Sequence, residues 1–188
     1  MTGPVIHICS WPGAGKATIG RILARRLGGR LIDNHLALDP ASALFDRSDP
    51  RHRPLRARLR STIDAAALTL PPEVPLIVTD ALSDSPEDDA LFEPTRALAH
   101  SRGAPLLCIT LDLSAEENRR RLTDPSRASR AKLTDPAILD TLRARHTLLH
   151  PEGAVTLDIT HLTPKDAATA IQNALDLTEE TTPCPSSL

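Results

Sequence analysis

Aromatic side chains are nearly missing from this 188-residue chain, which has no tyrosine, two phenylalanines and one tryptophan. Single-stranded nucleic acid is bound by stacking bases on aromatic rings, so that kind of platform is excluded. Positive charge is not in excess either: 22 Lys and Arg stand against 24 Asp and Glu, a formal net charge of -2. No global basic field draws a polyanion, and no nucleic-acid partner is expected. Cysteine is scarce. Cys9, Cys108 and Cys184 are odd in number and widely spaced, which gives neither a disulfide framework nor a zinc pattern. Cys9 and Cys108 fall in apolar runs and read as small core residues. No apolar run approaches the length that crosses a bilayer, and no basic segment followed by an apolar one opens the sequence. The expected protein is therefore cytoplasmic, without a membrane partner. Its length suits one domain with a substantial core, as a monomer or homodimer. The 17 prolines are spread through turns rather than gathered in a linker.

What is present is concentrated near the start. The apolar run Val5–Cys9 is followed by Ser10-Trp11-Pro12-Gly13-Ala14-Gly15-Lys16-Ala17-Thr18 and then by a helical pattern from Ile19. A strand, a Gly-rich turn ending in Gly-Lys, and a helix form the setting of a phosphate-binding loop. Glycines let backbone N–H groups converge on phosphate oxygens, the helix N-terminus adds positive dipole, and Lys16 adds a mobile charge. The strict pattern has Gly at position 10 and Ser or Thr at position 17, where this chain has Ser10 and Ala17. Ala17 offers no oxygen to Mg2+, which leaves that role to Thr18, to water, or to an acid elsewhere.

Later strands place further candidates. Arg30-Leu31-Ile32 reads as a short strand that delivers Asp33, Asn34 and His35 at its C-terminal end, where ligands of open α/β sheets bind. Asp33 can accept a proton from a substrate hydroxyl there, with Asn34 and His35 orienting the acceptor, or Asp33 and Asn34 can cap the next turn. Residues 36–53 have weak periodicity and read as a short helix or a substrate-covering segment around Leu44 and Phe45. A helix over 55–70 carries or follows Arg51, Arg53, Arg56, Arg58 and Arg60, which can meet an anionic substrate or form a solvated face. Leu76–Thr79 reads as a buried parallel strand ending in Asp80, an acid placed to hold Mg2+ or its water, or else a cap. The acidic stretch 83–89 reads as a solvated loop, with a helix from Phe92 to His100. After a strand over 105–111, Ser114 and Glu117 form a capping-box pattern for a helix toward Leu122. That helix brings Arg119, Arg120 and Arg121 into a polar segment containing Arg127 and Arg130. Arginines there can swing over a nucleotide and grip phosphoryl oxygens, with Arg120, Arg127 and Arg130 the best placed, although helix geometry does not choose among Arg119, Arg120 and Arg121. The alternative is a basic helix end favoured by the dipole. Asp135-Pro136 opens another helix, residues 154–159 read as the last strand, and Thr163-Pro164 starts a final helix. His146 and His150 share a helix face without a third ligand.

Five apolar strands separated by helices predict an α/β fold, a parallel sheet covered on both faces in three layers. With Pro12-Gly13-Ala14-Gly15-Lys16 and Thr18, Asp33 after the second strand, Asp80 after the third, and the arginine-rich segment 119–130, the chain resembles the small P-loop kinases. These include nucleoside monophosphate, shikimate and gluconate kinases and chloramphenicol phosphotransferase. The loop is similar to the nucleoside monophosphate kinase form, in which the residue after lysine need not be hydroxylic. The resemblance implies a P-loop NTPase fold over residues 1–177, with a short lid near 119–132 and a flexible tail over 178–188. It implies transfer of the ATP γ-phosphoryl group to a small acceptor. In those terms Gly13, Ala14, Gly15, Lys16, Ala17, Thr18 and Arg130 bind ATP, and Thr18 and Asp80 support Mg2+. Lys16, Asp33, Arg120 and Arg127 carry the transfer. The Asp33-Asn34-His35 triplet favours a hydroxylated metabolite or antibiotic as acceptor; a nucleoside or nucleoside monophosphate acceptor, or a nucleotide-binding regulator or ATPase, is the alternative.

Overall fold

The computed structural model describes residues 2–124 and 133–180, with side chains through Leu175. Five strands, β1 (Val5–Ser10), β2 (Arg30–Asp33), β3 (Leu76–Asp80), β4 (Leu106–Asp112) and β5 (Val155–Asp158), form one sheet in the order β2-β3-β1-β4-β5. Every pairing is parallel, with Cys9 beside Asp80 and Thr110, and Asp33 beside Thr79. The C-terminal ends of β1, β2 and β3 thus lie side by side and carry the loop, Asp33 and Asp80 to one edge. This is the three-layer P-loop NTPase arrangement.

The period of two along β1 sorts its side chains between two cores. Ile6 and Ile8 pack with Ile19 and Leu23 of α1 (Lys16–Leu27) and with Ile171 and Leu175 of the last helix, α7 (Pro164–Glu180). Val5 packs on the opposite face with Leu76, Val78, Ala67 and Leu98, against α3 (His52–Ala67) and α4 (Pro86–Ser101). Each fully buried Ile or Leu contributes roughly 1.5–3 kcal/mol. His7 sits on the α3/α4 face, fully buried, its ring centroid 4.5 Å from that of Phe92. Asp80 shares that face because it follows Leu76 and Val78 by twos; Asp33 shares the opposite face with Thr79, whose hydroxyl donates to Asp33 Oδ1 at 3.2 Å.

The remaining helices are α2 (His35–Leu44), α5 (Ala115–Leu122) and α6 (Pro136–Arg145). Three boundaries differ from the sequence reading. Residues 35–44 form a full helix despite Pro40, with Ala37, Leu38 and Ala41 buried. The third helix begins at His52 rather than Leu55. The fourth helix begins at Pro86 rather than near Phe92, so the supposed acidic loop is largely a helix start. Ser85 accepts the Asp88 N–H, Pro86 sits in the first turn, and Glu87, Asp88 and Asp89 complement the helix dipole.

Candidate active site

The turn after β1 depends on two glycines. Gly13 and Gly15 have φ of 88° and 100°, a left-handed backbone that side chains with Cβ resist. Gly15 forms the N-cap of α1 without a side-chain cap, and the first turn holds no acid. The start of α1, with its positive dipole end, therefore borders the cleft. Lys16 Nζ reaches the Trp11 carbonyl at 3.4 Å. Ala17 is buried and Thr18 is exposed, and both line the cleft in front of the loop.

Three residues of α5 brace this loop from behind. Asn118 Nδ2 donates to the Pro12 carbonyl at 2.9 Å, Arg121 Nη1 to the Ala14 carbonyl at 3.1 Å, and Leu122 presses so closely that a Cβ on Gly13 would lie 2.8 Å from its Cδ1. Arg121 Nη2 also donates to the Ile159 carbonyl at 2.8 Å, tying the loop to the start of the last helical layer. Trp11 is held by its Nε1 donating to Asp112 and by the Arg143 guanidinium 4.8 Å over its ring.

Two cavities open at this edge. One, of about 440 Å3, is lined by Gly13, Gly15, Lys16, Ala17 and Thr18 of the loop, with Asp33, Asn34, His35, Arg47 and Arg56 opposite. The other, of about 910 Å3, runs between α3 and α4 and is lined by Asp33, Asn34, Arg56, Arg60, Asp64 and Asp80 at its polar end. Asp33, Asn34, Arg56 and Leu91 border both cavities. Asp33 Oδ1 takes the His35 N–H at 3.3 Å as well as the Thr79 hydroxyl, and Asn34 Oδ1 is buried with no hydrogen-bond partner.

Asp80 lines the larger cavity and not the loop cleft, where the sequence reading had set it beside Mg2+. It is 3% exposed, with His7 Nε2 at 3.4 Å and Arg60 Nη1 at 4.0 Å from Oδ2, ionic distances without hydrogen-bond alignment. Burial by itself raises its pKa, but His7, Arg60 and Arg56 outweigh burial and hold the carboxyl below its ordinary range. The arginine cluster near residue 55 divides by face. Arg56 and Arg60 are half-buried, and burial pushes the Arg56 pKa down; Arg51, Arg53 and Arg58 are exposed. Arg60 binds Asp64 at 2.9 Å and bridges to Thr95 of α4 at 3.1 Å. Spacing held the signal: 56, 60, 63 and 67 form one helical stripe that ends in core residues Ile63 and Ala67.

Arg120 borders neither cavity. It is 70% exposed and paired with Glu117 at 2.6 Å, while Arg119 pairs with Asp140. The inward residue of the three is Arg121, because Asn118, Arg121 and Leu122 occupy one face of α5. Arg127 and Arg130 lie outside the described residues, as does the tail beyond Glu180. Cys9 and Cys108 have thiol pKa values pushed up to about 11 by burial, which leaves them protonated and unreactive.

No protein-family model matches the chain. Its sequence is 25% identical over 190 residues to shikimate kinase of Corynebacterium glutamicum, covering 94% of this chain and 99% of that protein. Among solved structures, a sugar kinase from a Janibacter species superposes with a TM-score of 0.61 at 19% identity, over 97% of this chain and 99% of that one. Shikimate kinase from Acinetobacter baumannii, in complex with shikimate, gives 0.61 at 19% identity over 96% and 97% of the two chains. A gluconokinase from Sinorhizobium meliloti gives 0.59 at 18% identity over 96% and 98%.

Proposed function

We propose that this chain, whose fold and sequence are similar to those of small P-loop kinases, transfers the ATP γ-phosphoryl group to a hydroxyl of a small acceptor. The observation that carries the reading is the junction of two cavities at Asp33, Asn34 and Arg56. A nucleotide-binding regulator needs only the loop cleft, whereas a second cavity opening onto the same acid suits a second substrate.

In this reading the loop amides and Lys16 hold the β and γ phosphates. Asp33 accepts the proton of the attacking hydroxyl, and its Thr79 and His35 contacts both engage Oδ1 and fix the carboxylate plane. Asn34 Oδ1 accepts from a neighbouring donor on the acceptor, and Arg56 neutralises charge that develops on the transferring group. Among the described residues no cluster of three or more His, Cys, Asp or Glu side chains is assembled for a metal. Mg2+ travelling with the nucleotide would be held at Thr18, through few protein contacts. Bound there, it supplies neutralisation of phosphate charge. Asp80, engaged by His7 and Arg60, positions the arginines instead.

The test is acceptor-dependent ADP release from ATP over a panel of hydroxylated compounds, with the phosphorylated product identified. Lys16→Ala should lower kcat/KM on the order of 10²–10³-fold. Asp33→Asn should lower kcat about 10²–10⁴-fold with nucleotide affinity retained. Acceptor phosphorylation at the normal rate by Asp33→Asn would remove the proposed base, and ADP release indifferent to every acceptor would favour an ATPase.

A further inference from the structure

The cavity beyond Asp33 is longer than a compact acceptor requires. Its lining follows α4 from Glu87 to Ser101, about 21 Å of helix axis, and follows α3 from Arg53 to Leu68 alongside it. Charged side chains line it from the loop end as far as Asp64 on α3, and Ser101 lies at its far end. Its walls are otherwise small: Ala57, Ser61 and Ala65 on α3 and Ala90, Pro94 and Ala97 on α4. At the far end Leu68 leaves 45% of its surface exposed. Side chains of ordinary size on either stripe would narrow this groove. Independently, the buried Asn34 Oδ1 takes no hydrogen bond, and Asn34 borders this cavity beside Asp33. An acceptor oxygen of this kind matches a head with a hydroxyl donor beside the reacting hydroxyl.

We infer that the acceptor is a hydroxylated amphiphile, whose polar head presents the reacting hydroxyl to Asp33 and whose extended alkyl or acyl arm lies in the groove between α3 and α4. The groove continues the acceptor site, so head and arm belong to one molecule. An unbranched arm fits because the walls are aliphatic and lack an aromatic shelf. The inference rests on the kinase reading for the chemistry at Asp33, but binding of the arm can be measured without it.

Calorimetric titration of the full chain with n-butyl, n-hexyl and n-octyl β-D-glucoside, each below its micellar concentration, gives the direct test. Burial of an arm tightens binding by up to about fourfold per methylene, and at least tenfold is expected from butyl to octyl. Ala65→Phe and Ala97→Phe place a ring across the distal groove and should reduce that dependence to within twofold, with melting temperature recording that each variant folds. Ala97→Leu serves where a phenylalanine variant does not fold. A flat chain-length series in the unaltered protein, or an unchanged slope in the folded variants, overturns the inference. Transfer assayed on the same compounds separates the two readings. Tightening with chain length but no ATP-driven phosphorylation of any acceptor sinks the kinase reading and sustains the groove. Phosphorylation of compact polyols with no chain-length dependence sinks the groove and sustains the kinase reading.

Discussion

At the scale of single residues, Arg121 and Arg120 are adjacent, identical in chemistry and opposite in role. Arg121 donates to the carbonyls of Ala14, Ile159, Thr160 and Leu162 and to Glu117. Its removal takes a donor from several part-buried carbonyls at once. Arg121→Ala should cost about 2–3 kcal/mol, a fall of about 4–12 °C in Tm at this chain length, and should weaken nucleotide binding because the loop loses its brace. Arg120→Ala removes an exposed pair and should leave stability nearly unchanged. Thermal melts and nucleotide titrations of the two variants check the contrast, and equal effects would show that α5 does not brace the loop. The strand, glycine turn and helix around Gly13 and Gly15 were legible in the sequence, because the glycines act through backbone geometry that is local to the motif. The orientation of a single arginine in a run of three was legible only in part. Leu122 is the apolar anchor of α5, and its partners at i−1 and i−4, Arg121 and Asn118, follow it inward. The face taken by Asp80 was not legible at all. Leu76-Ile77-Val78-Thr79 is apolar on both sides of the sheet, and a strand buried on both faces carries no alternation to say which way the next side chain turns.

Elements introduce a second set of consequences, set by their ends. The sequence reading found the caps of α5 and α6 but missed that of α4, where Ser85-Pro86 lies inside a run of acids that resembles a solvated loop. Acids in a first helical turn and acids in a loop look alike until the apolar stripe that follows is traced backward from Phe92 and Leu91. Ser85→Ala should therefore destabilise by about 1 kcal/mol, readable as a shift in denaturant midpoint with an unchanged slope. The α5 helix supplies a pH prediction. Glu117 is held at a pKa of about 2 rather than 4.5, first by Arg120 and then by Arg121. A carboxyl whose pKa is lower folded than unfolded binds more protons when unfolded, so its stabilisation is present in full above about pH 4.5 and is lost as pH falls toward 2. Removing its first-ranked partner should flatten that decline. Tm followed from pH 6 to pH 2 is expected to fall less steeply across this window in Arg120→Ala than in the parent. Parallel curves would mean that Arg121 alone holds the charge.

For the whole molecule, the sheet separates the machinery into two halves that meet along one edge. The loop, α1, α5 and the turn after β5 are joined through Arg121 and the core that contains Ile8, Leu122 and Ile159. The groove helices α3 and α4 are joined to one another by Arg60 and Thr95, over a separate core. Contact between the halves at the site runs through Asp33, Asn34 and Arg56. A ligand in the loop cleft should therefore stiffen the first half far more than the second. Non-hydrolysable ATP analogue at 100 times its Kd stabilises the folded chain by about 2.7 kcal/mol, a rise of about 5–11 °C in Tm. Amide hydrogen exchange measured under the same conditions should gain protection in residues 11–18, in α5 and in the turn at 159–162, with the distal ends of α3 and α4 exchanging as before. Arg121→Ala should remove the added protection from the turn at 159–162 and reduce it in α5, because the guanidinium joins the loop to that turn while Asn118 and Leu122 still hold α5 to the loop. Protection spreading equally into the distal ends of α3 and α4 would show that the sheet transmits the nucleotide's presence as one rigid body, and would leave the Arg121 link without its assigned role.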